Sequence, residues 1–311
     1  MKKIKKMLRM EKDFPDVDEE TRRDWNIITH PITLMKKTMR PDKSVRAFFP
    51  ELRRRKKVAV VLSGGGAKGL AHVGFLRELE KYDVEIDFIA GTSMGAIVGA
   101  LYALEKDLSI IDKHLKYKTR DLVTFKDITF SLKGMFKGMV IEDMLKDLYG
   151  KATFEDTKIP LVINAVDLET GKEKVFKEGK LIDAVRASMS IPVIFTPHKI
   201  KGKMYVDGGV MNNVPCNHVP GKYRKVVVCN VNSKMPPLKK NYTGIEFFLH
   251  TMSLLQHNAT RIPRDDKHIL VEPDMSKMSV GDFSKMREAI KIGEKKASET
   301  LGKHFKKIKE F

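Results

Sequence analysis

Cysteine is nearly absent: Cys216 and Cys229 are the only two in 311 residues. That excludes a disulfide framework and a cysteine-built zinc site, and the reading that follows is a protein of the reducing cytoplasm. Aromatic residues are sparse at 8%, and no basic-aromatic RNA-binding motif is present, so a nucleic-acid partner is not expected. Long apolar runs are missing too. The longest stretch without a charge, Phe88 to Leu104, falls short of a membrane span and carries Gly, Thr and Ser. Its Gly91, Gly95 and Gly99 match the small-residue spacing of membrane helix pairs, but the segment is better explained by the motif it contains. The N-terminus, Met1-Lys-Lys-Ile-Lys-Lys-Met-Leu-Arg-Met10, starts like a signal peptide and reaches no uninterrupted apolar core, so secretion is not expected. Repeats and low-complexity tracts are lacking.

Negative charge is outweighed. Lys and Arg number 59 against 40 Asp and Glu, a net charge of +19, which gives the surface a field that attracts polyanions. An anionic membrane surface is the expected partner, met peripherally. With 42% apolar and 32% charged residues the composition is globular. Residues 1–55 are polar, basic at both ends and punctuated by prolines, and read as an N-terminal extension: a solvated arm or an electrostatic tether to lipid. Residues 56–311 read as one catalytic domain.

Within that domain Val58-Ala-Val-Val-Leu62 has the β-branched, wholly apolar texture of a buried parallel strand. Leu70, Val73, Leu76 and Leu79 recur at helical spacing over Ala67–Tyr82, and Val84–Ala90 supplies a second strand. Strand, helix, strand is a βαβ unit. The pattern continues with a helix over Met94–Leu104, a Lys-rich helix near Ile110–Tyr117, and a strand over Pro160–Val166 that leads into a hairpin at Glu169–Gly171. Further strands are predicted at Met204–Val206, Val226–Val231 and His268–Val271. Helices are predicted at Gly244–Gln256 and Phe283–Phe305, the last with Ile290, Ala297, Leu301, Phe305 and Ile308 on one face. The architecture predicted is α/β with a mainly parallel sheet.

Three motifs carry chemistry. Gly64-Gly65-Gly66-Ala67-Lys68-Gly69 lies between a strand and a helix, where converging backbone N–H groups suit an anion. It fits a dinucleotide fingerprint, with Asp83, Glu85 or Asp87 near the place of a ribose-binding acid, and equally an oxyanion loop or a structural turn. It is not a phosphate-binding Walker loop, because Lys68 is followed by Gly69. Gly91-Thr92-Ser93-Met94-Gly95 falls between a strand and a helix, the setting of a nucleophile elbow in which flanking glycines relieve crowding around an exposed serine; a capped helix start is the plainer reading. Asp207-Gly208-Gly209 reads as a hairpin turn or as a carboxylate that takes the proton of Ser93.

The three motifs in this order resemble the patatin-like phospholipases. Ala165-Val-Asp-Leu-Glu-Thr-Gly171, Ala184-Val-Arg-Ala-Ser-Met-Ser-Ile-Pro192 and Val206-Asp-Gly-Gly-Val-Met-Asn-Asn-Val-Pro215 are similar to other blocks of that family, and the likeness spans Lys57 to Leu301. The resemblance implies a three-layer α/β/α sandwich and a Ser-Asp dyad hydrolase of phospholipid or lysophospholipid acyl esters that uses no metal or organic cofactor. Ser93 would be the nucleophile and Asp207 its base. The amides of Gly64, Gly65 and Gly66, chiefly the last two, would form the oxyanion hole, and Lys68 would add positive potential or stand exposed. Three other readings stay open. His218 or His268 could complete a Ser-His-Asp triad, the glycine loop could bind a dinucleotide, and the basic surface could belong to a noncatalytic binding module. The Met-rich stretch Phe130–Ile141 is either core beside a loop or a mobile cover over Ser93.

Overall fold

A computed structural model describes residues 57–109, 139–238 and 240–305. The expected extension, the expected helix at 110–117, residues 130–138 of the possible cover and Ile308 lie outside the described residues.

Eight strands form one sheet: β1 (Val58–Leu62), β2 (Ile86–Gly91), β3 (Leu161–Asp167), β4 (Lys172–Phe176), β5 (His198–Ile200), β6 (Lys203–Asp207), β7 (Lys225–Cys229) and β8 (His268–Val271). The order is β5-β6-β3-β2-β1-β7-β8, with β4 also on β3. From β3 to β8 the pairs are parallel, whereas β4, β5 and β6 form an antiparallel flank. Parallel strands covered on both faces need no alternation, which is why β1 and β7 read as unbroken apolar runs.

Alternate residues of β1 nevertheless join different cores. Val58, Val60 and Leu62 pack in the larger core, with α1 (Ala71–Lys81), α2 (Met94–Glu105), α3 (Met139–Tyr149), α4 (Leu181–Ser188) and α6 (Met286–Leu301). Ala59 and Val61 face the other side, where Phe88, Ala90, Val226 and Val228 meet Val214, Cys216, Val219 and Tyr223. The three-layer α/β/α sandwich follows, with the segment around the short 3-10 turn Cys216–His218 closing that second side. One further helix, α5 (Gly244–Ala259), buries only Ser253.

Local chemistry shifts several boundaries. The helix predicted from Ala67 is a 3-10 turn over Gly66–Leu70 before α1, because Gly66 sits at φ +54° and the Ala67 N–H is taken by the Val280 carbonyl at 2.8 Å. β2 starts at Ile86 because Asp83 has a φ of 52° and the Val84 N–H closes α1 on Leu79 at 3.0 Å. The last helix splits likewise into a 3-10 turn, Phe283–Lys285, and α6. The charge-free stretch from Phe88 is the end of β2 followed by α2, and no described helix is long and apolar enough to cross a membrane.

Candidate active site

Strand register brings the second and third motifs together. β2 runs parallel to β3 and ends with Gly91 opposite Ile163, whereas β6 runs antiparallel and ends with Asp207 opposite Ala165. Their carboxyl ends therefore meet on either side of Asn164. Ser93 follows β2 and stands 114 residues from Asp207 in sequence, yet its Oγ donates to Asp207 Oδ2 at 2.6 Å.

Ser93 holds φ 54°, ψ −119° as the residue just before α2, a conformation that stores on the order of 1–3 kcal/mol in a non-glycine residue. Its neighbours hold it there. The Thr92 N–H reaches the Leu62 carbonyl at 3.1 Å, Thr92 Oγ1 donates to Asn164 Oδ1 at 2.7 Å, and the Ser93 N–H donates to Ser188 Oγ at 2.8 Å. Glycine is required on both sides of the serine: a Cβ on Gly91 would lie 2.6 Å from the Gly95 carbonyl oxygen, and one on Gly95 would run 2.6 Å from that of Ser63.

Asp207 is buried and doubly engaged. Oδ1 accepts the Gly209 N–H at 2.7 Å, and its own N–H reaches the Ser190 carbonyl at 3.0 Å. Burial, outweighing these stabilising bonds, raises its carboxyl to about 6. Asp207-Gly208-Gly209 is accordingly not a plain hairpin turn: the chain leaves β6 in a 3-10 turn, Gly208–Val210, with Gly208 pressed against the Asn164 carbonyl.

The glycine loop backs onto the same serine, for a Cβ on Gly64 would lie 3.3 Å from Ser93 Cβ. The Gly64 N–H is committed to the Asn213 carbonyl at 3.1 Å. Those of Gly65 and Gly66 make no hydrogen bond among the described residues. Gly69 seats against Met94, with room for a Cβ only 2.5 Å from Met94 Cγ. Lys68 is not exposed. It is fully buried, its Nζ has no hydrogen-bond partner among the described residues, and burial brings its pKa down to about 8.

Ser93 and Lys68 line a cavity of about 950 Å³ whose walls include Met94, Ile97, Leu101, Met144, Met189 and Phe195. Of the Met-rich stretch, Ile141 falls within α3 and lines this cavity. Apolar walls, an unpaired amide pair and a hydroxyl bonded to a carboxylate together suit attack on an acyl carbonyl.

The candidate histidines lie elsewhere. His218 contacts Glu173 at 2.8 Å and His268 contacts Asp265 at 2.6 Å, and neither bonds to Ser93 or Asp207. Asp87, one of the candidate ribose-binding acids, accepts the Val58 N–H at 2.9 Å. Ser188, Asn164 and Asn213 were not singled out by sequence. Glu173 was missed also, although its Oε1 accepts from Asn164 Nδ2 at 2.8 Å and Asn212 Nδ2 at 2.9 Å beneath the elbow. For Ser188 the only signal was its place in the block Ala184–Pro192.

A family model described as patatin-like phospholipase matches residues 60–219, which include the glycine loop, Lys68, Ser93, Ser188 and Asp207. The chain belongs to the patatin-like phospholipase family. It is 33% identical over 165 residues to an uncharacterised NTE family protein of Mycobacterium tuberculosis, covering 53% of this chain and 46% of that one. It is 34% identical over 177 residues to patatin-like phospholipase domain-containing protein 7 of Rattus norvegicus, covering 55% of this chain and 13% of that one. Against lysophospholipase NTE1 of Pyricularia oryzae the values are 33% over 186 residues, 58% and 12%. The chain thus spans half or less of these relatives. Among solved structures, VipD from Legionella pneumophila shares the fold, with a TM-score of 0.52 at 14% identity over 82% of this chain and 68% of that one.

Proposed function

We propose that this protein is a serine lipid acyl hydrolase that cleaves carboxylic ester bonds of phospholipids or lysophospholipids through a Ser93–Asp207 dyad. The observation that carries this reading is the 2.6 Å bond between Ser93 Oγ and Asp207 Oδ2 on a strained turn beside an apolar cavity. The names of the relatives, a phospholipase-domain protein and a lysophospholipase, agree with it.

In the first half-reaction Ser93 Oγ attacks the ester carbonyl while Asp207 takes its proton. The developing oxyanion is met by the amides of Gly65 and Gly66, each such donor contributing on the order of 3 kcal/mol to the transition state. Gly64, whose amide is spent on Asn213, gives the loop its close approach to Ser93 instead. Collapse of the intermediate breaks the ester bond, and the leaving alcohol takes the proton back from Asp207. Water then attacks acyl-Ser93 with Asp207 again as base, Asp207 returns that proton to Ser93 Oγ as the acyl–oxygen bond breaks, and a fatty acid departs. A carboxyl held near 6 is a better base than an ordinary aspartate and is still largely ionised at neutral pH. No step calls for a metal or organic cofactor.

The acyl chain lies in the cavity, where methionines accommodate varied chains. The substrate is met at an anionic membrane surface, to which a chain of net charge +19 is drawn without spanning it. Residues 1–55 act as the basic extension and 56–311 as the catalytic domain. Fatty-acid release from phospholipid and lysophospholipid vesicles tests the reading: release by wild type and none by Ser93→Ala is expected, and equal release by both would overturn it.

A further inference from the structure

The proposed mechanism leaves one buried cation unused. Lys68 has no exposed surface and no partner for its Nζ among the described residues, yet it lines the cavity that Ser93 opens onto. An ammonium group in an apolar wall is unfavourable unless an anion joins it. With a pKa near 8 the amine is still mostly charged at pH 7.

The neighbouring ionisable groups do not answer that charge. Glu246 is tied to the start of α5 through the Thr243 N–H at 2.9 Å. Asp282 accepts the Ser279 N–H at 2.8 Å, and Lys285 donates to the Lys277 carbonyl at 3.1 Å. Lys277, Lys285 and His250, also on the wall, add no negative charge. His72, on the adjoining turn of α1, bonds to the Ser63 carbonyl at 2.8 Å and is pushed down to about 4 by burial, so it is neutral.

We propose that Lys68 is an anion subsite inside the cavity and takes the carboxylate of a long-chain fatty acid, the product freed when acyl-Ser93 is hydrolysed, while the chain stays against the apolar walls. A phospholipid phosphate carries glycerol on one side and a head group on the other, and reaching a side chain with no exposed surface would bury both. A fatty acid ends at its carboxylate, so one monocation meets one monoanion with nothing polar beyond it. Naming the ligand as product rests on the hydrolase reading; the binding itself does not. The consequence is product retention: fatty acid competes with substrate until Lys68 releases it.

The test is calorimetric titration of the full chain with laurate, dodecanol and dodecyl phosphate, each below its micelle concentration. At pH 7 laurate should bind about tenfold or more tighter than dodecanol. Its affinity should fall above pH 8, toward about tenfold per pH unit as the amine loses its proton. Lys68→Met should lose the laurate preference and keep dodecanol binding. Equal affinity for laurate and dodecanol, a flat profile across pH 8, or an undiminished preference in Lys68→Met overturns the subsite. Tighter binding of dodecyl phosphate than laurate overturns the carboxylate assignment in favour of a lipid phosphate. If Lys68→Met fails to fold, the alcohol comparison and the pH profile of wild type decide. Labelling of Ser93 by a fluorophosphonate is scored separately: a labelled serine without laurate preference overturns the subsite alone, and laurate preference with an unlabelled serine overturns the hydrolase reading alone.

Discussion

Ser188 Oγ accepts the backbone N–H of Ser93 at 2.8 Å, and two residues on, the Ser190 carbonyl accepts the N–H of Asp207 at 3.0 Å. One turn at the end of α4 therefore grips both Ser93 and Asp207, and Arg186 Nη1 in turn holds Ser190 Oγ at 2.6 Å. The strained φ of Ser93 persists because these bonds, with those of Thr92, leave it no relaxed alternative.

Ser188→Ala strands a buried N–H and is expected to destabilise the fold by about 1–3 kcal/mol. Relaxation of the elbow should lower kcat by about tenfold, equivalent to about 1.4 kcal/mol of lost positioning, with little change in KM. Denaturant melts and steady-state kinetics on the same preparation check this; an unchanged kcat would show that the elbow holds without Ser188.

In the proposed mechanism Asp207 links activity and stability in opposite senses. Its carboxyl is raised from 3.8 to about 6, so the folded protein holds that proton more tightly than the unfolded chain. The stability it contributes is present below pH 3.8 and is lost as pH rises through 6, by about 3 kcal/mol. Asp207→Asn should therefore be more stable than wild type at pH 8 and inactive, with the difference shrinking toward pH 4. In wild type, kcat/KM should fall on the acid side with a midpoint near 6. Denaturation at both pH values and a pH–rate profile check the two halves.

His72 works the other way. Burial holds its pKa near 4, below the ordinary 6.5, so its contribution to stability is present above pH 6.5 and is lost as pH falls through 4. Wild type should lose about 3 kcal/mol from this group across that window. His72→Gln, less stable at pH 7, should show a flatter loss between pH 6.5 and 4; parallel curves would contradict the assignment.

Histidine substitutions separate the dyad from a triad. His218 and His268 face Glu173 and Asp265, not the serine, so His218→Ala and His268→Ala should keep most ester hydrolysis while Asp207→Ala in folded protein abolishes it. The reverse pattern would sink the dyad.

Strands β1 and β7 were legible because burial on both faces leaves continuous apolar runs, and β2, β3, β6 and β8 were legible from shorter apolar segments. β5 was not, since His198-Lys199-Ile200 is too short to show any period. Only Met139–Ile141 of α3 fell within the Met-rich stretch and the rest of that helix was not read, nor was α4, although Leu181, Ala184 and Val185 line its buried side. Ser93 and Asp207 could be singled out because glycines mark the unusual backbone around them. Ser188 and Asn164 could not, for a serine or an asparagine has no sequence mark that tells a buried hydrogen-bond partner from a surface residue. Lys68 misled for a related reason: a charge beside a helix reads as solvated, and only the surrounding walls reveal that it is enclosed.

The most direct measurement is intact-mass analysis after exposure to a fluorophosphonate ester, on wild type, Ser93→Ala and Asp207→Ala shown to be folded, with and without mixed micelles. The account predicts a single adduct on wild type, none on Ser93→Ala and a suppressed one on Asp207→Ala. No adduct on wild type under either condition, or the same adduct on Ser93→Ala, would contradict it.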